Sequence, residues 1–274
     1  MSIISIKRSI ARRFWTKRGL GMKPNPIDER DYLYKYNDDD GVYPDFFSLE
    51  KYSEIVDQLN TGSCVGNAVA GAIRILENRK SGSTEYGYPS RLFLYWISRS
   101  QHETEPFRDN GTYVRACCKA LSKYGVPNEV VWKFKKGNVN KKPIFNTWMV
   151  ADPRRNGEYL AIFEVEKNSR LKAIMSALCE GYPVVFGTNV VDSFMPAIGP
   201  DIITCPSYSE NVVGGHAMVI IGYRKSSTDR LQFRVMNSWG KYWRDNGYCW
   251  FDEDYIAWSN SRDFTIIRGW ERLK

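Results

Sequence analysis

Histidine is scarce in this chain. Only His102 and His216 occur in 274 residues, so any chemistry that needs an imidazole rests on one of them. No cysteine pair has the C-x-x-C spacing and no His/Cys cluster follows zinc-ligand spacing, so neither a metal nor another cofactor is expected. No apolar run is long enough to span a bilayer. The N-terminus lacks the uninterrupted apolar core of a secretory signal. These absences lead to the expectation of a cytoplasmic or particle-associated protein. Asp38-Asp39-Asp40-Gly41 lacks the alternating ligand spacing of a calcium loop and reads as a solvated turn.

Acidic residues are missing from the first 23 positions, where Lys7, Arg8, Arg12, Arg13, Lys17, Arg18 and Lys23 account for nearly all of the net charge of +8. The rest of the chain is close to neutral, so overall charge says little about its substrate. Ile3, Ile6, Ile10 and Phe14 form a rough helical stripe in the same segment, with Trp15 beside it. Residues 1–43 read as a basic arm and linker. Residues 1–23 are expected to meet a particle, an anionic surface or nucleic acid. The remaining length suits one domain of two lobes.

The chemistry is concentrated in three places. Gln58-Leu59-Asn60-Thr61-Gly62-Ser63-Cys64 sets a glutamine six residues before a cysteine. Val65, Ala68, Val69, Ala72, Ile73 and Leu76 then recur at helical spacing, which predicts an amphipathic helix with Cys64 in its first turn and Ser63 as an N-cap. Far downstream stands Gly214-Gly215-His216-Ala217, followed by the apolar run Ala217 to Tyr223, which predicts a buried strand with His216 at its start. The glycines remove side chains where another backbone would approach. A further strand, Leu231 to Met236, leads into Asn237-Ser238-Trp239-Gly240. His102 lies in a polar stretch and reads as a surface residue.

Together these segments hold a thiol, a base, a group to orient the base and an amide donor. A thiolate is the effective nucleophile, and a helix N-terminus favours its negative charge. An imidazolium from His216 would favour it further. Asn237 would fix the imidazole's orientation, while the Gln58 amide and the Cys64 N–H would donate to the oxyanion of a tetrahedral intermediate.

From Gln58 onward the chain resembles the papain-like cysteine peptidases, and the likeness covers roughly residues 44 to 268. Pro89 to Tyr95 is similar to the second helix of bacterial and phage members. Leu121 to Pro127 is similar to the end of their third helix, and Gly181 to Gly187 to the first strand of their second lobe. The resemblance implies an α+β fold with a helical lobe, roughly 55–150, and a twisted antiparallel sheet or open barrel, roughly 151–268, within a peptidase domain of residues 44–274. It implies a cysteine peptidase that hydrolyses peptide bonds of a protein or peptide substrate through an acyl-enzyme. Cys64, His216, Asn237 and Gln58 would be catalytic, Gly111 and Gly215 would meet substrate, and Trp239 would shield the Asn–His hydrogen bond from water.

Departures from the family accompany the likeness. Val65 replaces an aromatic residue, and Thr61 stands where a cysteine usually forms a nearby disulfide. His216 lies 152 residues after Cys64, which implies insertions, with Lys133 to Asn156 and Met195 to Asn211 as candidates. A standard long inhibitory propeptide does not fit before Gln58. The other five cysteines cannot all pair, and Cys117 and Cys118 are adjacent, so a reducing compartment is expected. Two alternatives stand beside the peptidase. One is a non-catalytic module docked in an assembly such as a phage particle; the other is acyl transfer or amide cleavage on a non-protein substrate. For the arm, the competing idea is a short inhibitory segment lying in the cleft.

Overall fold

The computed structural model describes residues 18–29, 31–36, 43–82, 87–102, 106–151 and 157–269. Residues 1–17 and the Asp38–Gly41 turn lie outside these. In chain order the elements are β1 (Met22–Lys23), β2 (Phe46–Ser48), α1 (Cys64–Ser81), α2 (Arg91–His102), β3 (Thr112–Tyr113), α3 (Val114–Tyr124), α4 (Phe145–Met149), β4 (Glu158–Ala161) and α5 (Lys167–Cys179). They continue with β5 (Val184–Val191), β6 (Ile202–Ile203), β7 (Val212–Lys225), β8 (Leu231–Met236), β9 (Tyr248–Asp252), α6 (Glu253–Ala257) and β10 (Ser261–Arg268).

The helix predicted after Ser63 begins at Cys64, but it is not amphipathic in place. Every residue from Cys64 to Asn78 is buried. One side of α1 meets α2 and α3, and the other meets β7 and β5. Small residues carry the second buried face. A Cβ on Gly66 would come within 2.7 Å of the Arg91 carbonyl oxygen, and one on Gly71 within 2.6 Å of the Met236 methyl. An apolar-periodicity reading passes over glycine, so it saw only one face. Ser63 does not cap the helix with its side chain. Its hydroxyl pairs with Thr61 Oγ1 at 2.7 Å and accepts Asn67 Nδ2 at 2.9 Å. The helix ends on Gly82 at φ 65°, whose N–H donates to the Asn78 carbonyl.

The main sheet has the order β4-β10-β5-β7-β8-β9-β6, with β2 also paired to β7. Its pairs are antiparallel except β6 with β9, which is parallel and departs from the expected all-antiparallel sheet. β7 is the longest strand, and Ala217 to Tyr223 is buried throughout, as expected of that apolar run. The strand starts earlier than the sequence predicts, at Val212. Gly214 and Gly215 pair with Val190 and Asn189 of β5, so His216 sits inside the strand opposite Thr188. Within residues 151–268 the edge strand β4 comes first, and Gly181 to Gly187 leads into β5, the second strand of that stretch and the first after α5.

Both proposed insertions build structure. Trp148 of α4 meets the rings of Phe93, Trp96 and Tyr124 at 5.1, 6.0 and 5.6 Å. Residues 195–211 carry β6, which extends the sheet beyond β9. His102 closes α2 instead of lying in a loop. All six cysteines are free.

The sheet's core rests on Phe186 of β5, stacked on Phe264 at 5.5 Å and edge-on to Phe251 at 6.0 Å. Phe186→Ala should cost about 3–5 kcal/mol of stability, from lost burial plus the cavity left behind. Phe186→Leu should cost less. The denaturant midpoint at constant m-value measures both.

Candidate active site

Cys64 opens α1 with its side chain completely buried. The backbone N–H groups of Ala217, Gly21 and Val65 lie close enough to favour a negative charge on its sulfur. Ala217 follows His216 on β7, so the fold brings the start of the Cys64 helix against the histidine's strand. His216 Nε2 lies 2.8 Å from Asn237 Oδ1, at the end of β8. The other ring nitrogen, Nδ1, is buried and has no hydrogen-bond partner. One ring nitrogen is therefore engaged and the other is unpaired. Asn237 Oδ1 also accepts the Ser238 N–H at 2.7 Å, which fixes the amide's orientation.

Trp239 is fully buried, with its ring centroid 4.6 Å from that of His216. Phe194 adds a second cover. It meets the rings of Trp239 and Trp243 at 5.4 and 5.2 Å and that of His216 at 6.3 Å. Sequence reasoning missed Phe194, which stands one residue before a segment taken as an insertion. It also missed Ser238, although the motif containing it was in view. Ser238 Oγ donates to Gln58 Oε1 at 2.5 Å, and the Ser238 carbonyl accepts the Gln58 N–H at 2.7 Å. Those bonds turn the Gln58 Nε2 toward the cleft and Thr61 O, 2.8 Å away.

The cleft is already filled. Residues 18–23, counted from sequence with a docking arm, run through it instead. Gln58 Nε2 donates to the Gly19 carbonyl at 3.0 Å, so a peptide carbonyl occupies the donor expected to serve an oxyanion. The Gly21 carbonyl accepts the Thr112 N–H at 2.8 Å, and β1 pairs parallel with β3. Gly111 and Gly215, the two expected substrate contacts, both face this strap. A Cβ on Gly111 would fall 2.0 Å from the Gly21 oxygen, and one on Gly215 would fall 2.2 Å from the Met22 oxygen. Met22 is 6% exposed, and its thioether lies over Gly187, a contact nothing in the sequence flagged. The strap is fastened on both sides: Arg18 pairs with Asp57 at 2.6 Å, and the Asn25 N–H donates to Asp263 at 2.9 Å.

Burial sets the charge state of this closed site. Loss of water pushes the Cys64 thiol up to about 11, against the opposing pull of the Ala217 and Gly21 N–H groups. Burial also brings the His216 imidazole down to about 4, and the bond to Asn237 only partly offsets it. With the strap in place both groups are held toward their neutral forms. Among the described residues no group of His, Cys, Asp and Glu is arranged to hold a metal, and no helix is long and apolar enough to cross a membrane.

A helix-borne cysteine, a strand-borne histidine oriented by an asparagine, and a glutamine amide aimed into the cleft between them define a two-part thiol peptidase. The family model for papain family cysteine proteases matches residues 48–261, and the chain belongs to that family. An uncharacterised peptidase C1-like protein of Acanthamoeba polyphaga mimivirus is 32% identical over 219 residues, spanning 78% of this chain and 69% of the relative. Among solved structures, xylellain, a cysteine protease from Xylella fastidiosa, superposes with a TM-score of 0.81 at 28% identity, covering 94% of this chain and 97% of that one. A digestive procathepsin L 3 of Tenebrio molitor larval midgut shares the fold at TM-score 0.66 and 16% identity, over 95% and 78% of the two chains. The protein is a cysteine peptidase.

A neutral, covered thiol should react slowly. At pH 6 the full chain's Cys64 should alkylate no faster than the half-buried Cys205, because a thiol raised to about 11 holds a negligible thiolate fraction there. Site-resolved mass spectrometry of iodoacetamide labelling checks this order, and preferential labelling of Cys64 in the full chain would contradict a closed cleft.

Proposed function

We propose that Cys64 is the nucleophile of this peptidase and His216 its general base and acid. In this reading the thiol proton passes to His216 Nδ1 and the sulfur adds to the carbonyl carbon of a peptide bond. The oxyanion is held by Gln58 Nε2 and the Cys64 N–H. His216 then gives its proton to the leaving amine, and an acyl-enzyme remains. Water, deprotonated by the same imidazole, releases the acid and restores the thiol. Asn237 keeps the ring in the required orientation. Gly111 and Gly215 let a peptide backbone approach, and Trp239 keeps water from the Asn237 bond. The observation that carries this reading is the division of labour on His216: Nε2 engaged by Asn237 at 2.8 Å, Nδ1 without a partner.

Residues 18–23 keep the enzyme latent. The Gly19 carbonyl on Gln58 Nε2 supports this, because the strap occupies a catalytic donor and not merely a nearby surface. Displacing the strap rehydrates the site, which lowers the thiol and raises the imidazole toward the ion pair that thiol peptidases need. Residues 24–43 link this strap to a peptidase domain of residues 44–274, with helices over 55–150 and the sheet over 151–268. Contact with a particle, nucleic acid or an anionic surface is left to residues 1–17, where five basic side chains and no acid favour it. Six free cysteines favour a reducing compartment, cytoplasmic or within a particle.

Deleting residues 1–23 should raise hydrolysis of a fluorogenic peptide about tenfold or more, the factor that ~1.4 kcal/mol of strap docking represents. It should also bring fast Cys64 alkylation at pH 6. Arg18→Ala should give a smaller rise by loosening one end, and Cys64→Ala should abolish turnover in either form. If deletion leaves activity unchanged but removes salt-sensitive binding to an anionic surface, docking is the arm's main role and latency is refuted.

A further inference from the structure

The loop that carries Cys64 has no covalent tie to the rest of the cleft. Thr61 stands where the family usually has a disulfide cysteine, and all six cysteines are free. The loop is nevertheless fastened. The Gly62 N–H donates to both carboxylate oxygens of Asp109, at 3.0 and 3.1 Å. The Tyr95 phenol, from α2, donates to Asp109 Oδ1 at 2.6 Å, and the Gly111 N–H donates to the phenol oxygen at 2.9 Å. One carboxylate and one phenol thus join the nucleophile loop, α2 and the Gly111 rim of the cleft. We propose that Asp109 and Tyr95 are positioning residues, a polar clasp that holds Gly62-Ser63-Cys64 so that the Cys64 backbone N–H points at the oxyanion.

The sequence around the clasp fits this role. A Cβ on Gly62 would fall 2.9 Å from Asp109 Oδ1 and 3.1 Å from the Tyr95 hydroxyl, so glycine is what lets the two acceptors come this close. Hydrogen bonds to an ionised carboxylate are roughly twice as strong as neutral ones, which suits a device standing in for a covalent bond. Tyr95 is fully buried and carries the Arg99 guanidinium 4.0 Å over its ring. Arg99 is itself held by Asn140 Oδ1 at 3.2 Å and the Val139 carbonyl at 2.5 Å, so the phenol has little freedom. Burial, and after it the Asp109 carboxylate, keep the phenol protonated as a donor, against the opposing Arg99 charge.

The clasp reaches both oxyanion donors. Thr61 Oγ1 donates to the Gln58 carbonyl at 2.7 Å, and the Thr61 carbonyl accepts Gln58 Nε2 at 2.8 Å. Gln58, Thr61, Gly62 and Cys64 therefore move as one loop, and Gly62 is its tether. Asp109 lies at the surface, so truncating it opens no core cavity. The freed Gly62 N–H would turn to water, and the loop would lose its direction before its fold. Oxyanion donors act over a narrow range of distance, so such a loss appears in the chemical step.

The test uses the full chain and the variants Asp109→Ala, Asp109→Asn and Tyr95→Phe. Turnover of a fluorogenic peptide amide is divided by the concentration of Cys64 titrated with an electrophilic active-site probe. Alkylation by iodoacetamide, which develops no oxyanion, is followed in parallel. For Asp109→Ala we expect kcat to fall about tenfold to a hundredfold with KM within about threefold, less than the removal of a whole oxyanion donor. Asp109→Asn should recover part of the loss, because its amide oxygen still accepts the Gly62 N–H. Tyr95→Phe should fall between the two, and alkylation of Cys64 should stay within about twofold in all three. The proposal is overturned if kcat of Asp109→Ala is unchanged, if the loss is confined to KM, or if alkylation falls as far as turnover. Asp109→Asn is isosteric and at the surface, so it decides the matter even if a bulkier change to the clasp impairs folding.

Discussion

The contact between the first turn of α1 and the middle of β7 is the constraint on which the rest of this molecule depends. It joins Cys64 to the strand of His216, 152 residues later, and brings the Ala217 N–H near enough to favour charge on the sulfur. For the helix to come that close it must be narrow on two sides. Gly66 against α2 and Gly71 against Met236 make it so. Hence the helix is buried all round, and its N-terminal N–H groups and aligned peptide dipoles act where little water screens them. The same seam that gives the thiol its electrostatic support also dehydrates it.

That tension sets the charge state of the covered site. A buried thiol and a buried imidazole both favour their neutral forms, because each charge would lose hydration on forming. The strap completes that dehydration. Within the cleft it is held largely through backbone: Gly19 on Gln58, Gly21 on Thr112, and the Gly21 and Met22 carbonyls against Gly111 and Gly215, with the Arg18 and Met22 side chains adding an ion pair and an apolar contact. A surface that binds any backbone suits an enzyme that binds peptides.

Orientation within the site is delegated to groups one step removed from the chemistry. Ser238 turns Gln58, Asn237 turns His216, and Asp109 with Tyr95 holds the loop that precedes Cys64. Phe194 and two tryptophans close the space around the imidazole. The result is a site whose imidazole and amide are held by hydrogen bonds and rings supplied from distant parts of the chain.

The sequence by itself determined the chemistry and the class of fold. Cys64 at a helix start, the apolar run after His216 and the Asn237 motif are local patterns, and local patterns follow from backbone periodicity and side-chain type. It could not determine what pairs with what over long range. The true start of β7 depended on Gly214 and Gly215 finding β5, and glycine carries no strand signal of its own. The second face of α1 is built from small residues that hydrophobic periodicity does not register. Ser238, Phe194 and the Asp109–Tyr95 clasp act only through partners far away in the chain. Residues 18–23 were legible as basic, yet their place was set by backbone hydrogen bonds to Gln58 and Thr112, which every residue but proline offers alike. Only the tertiary structure could decide that a charged arm ends inside the cleft, because it is held there by backbone groups common to all residues and by side chains, such as Asp57 and Asp263, far away in the chain.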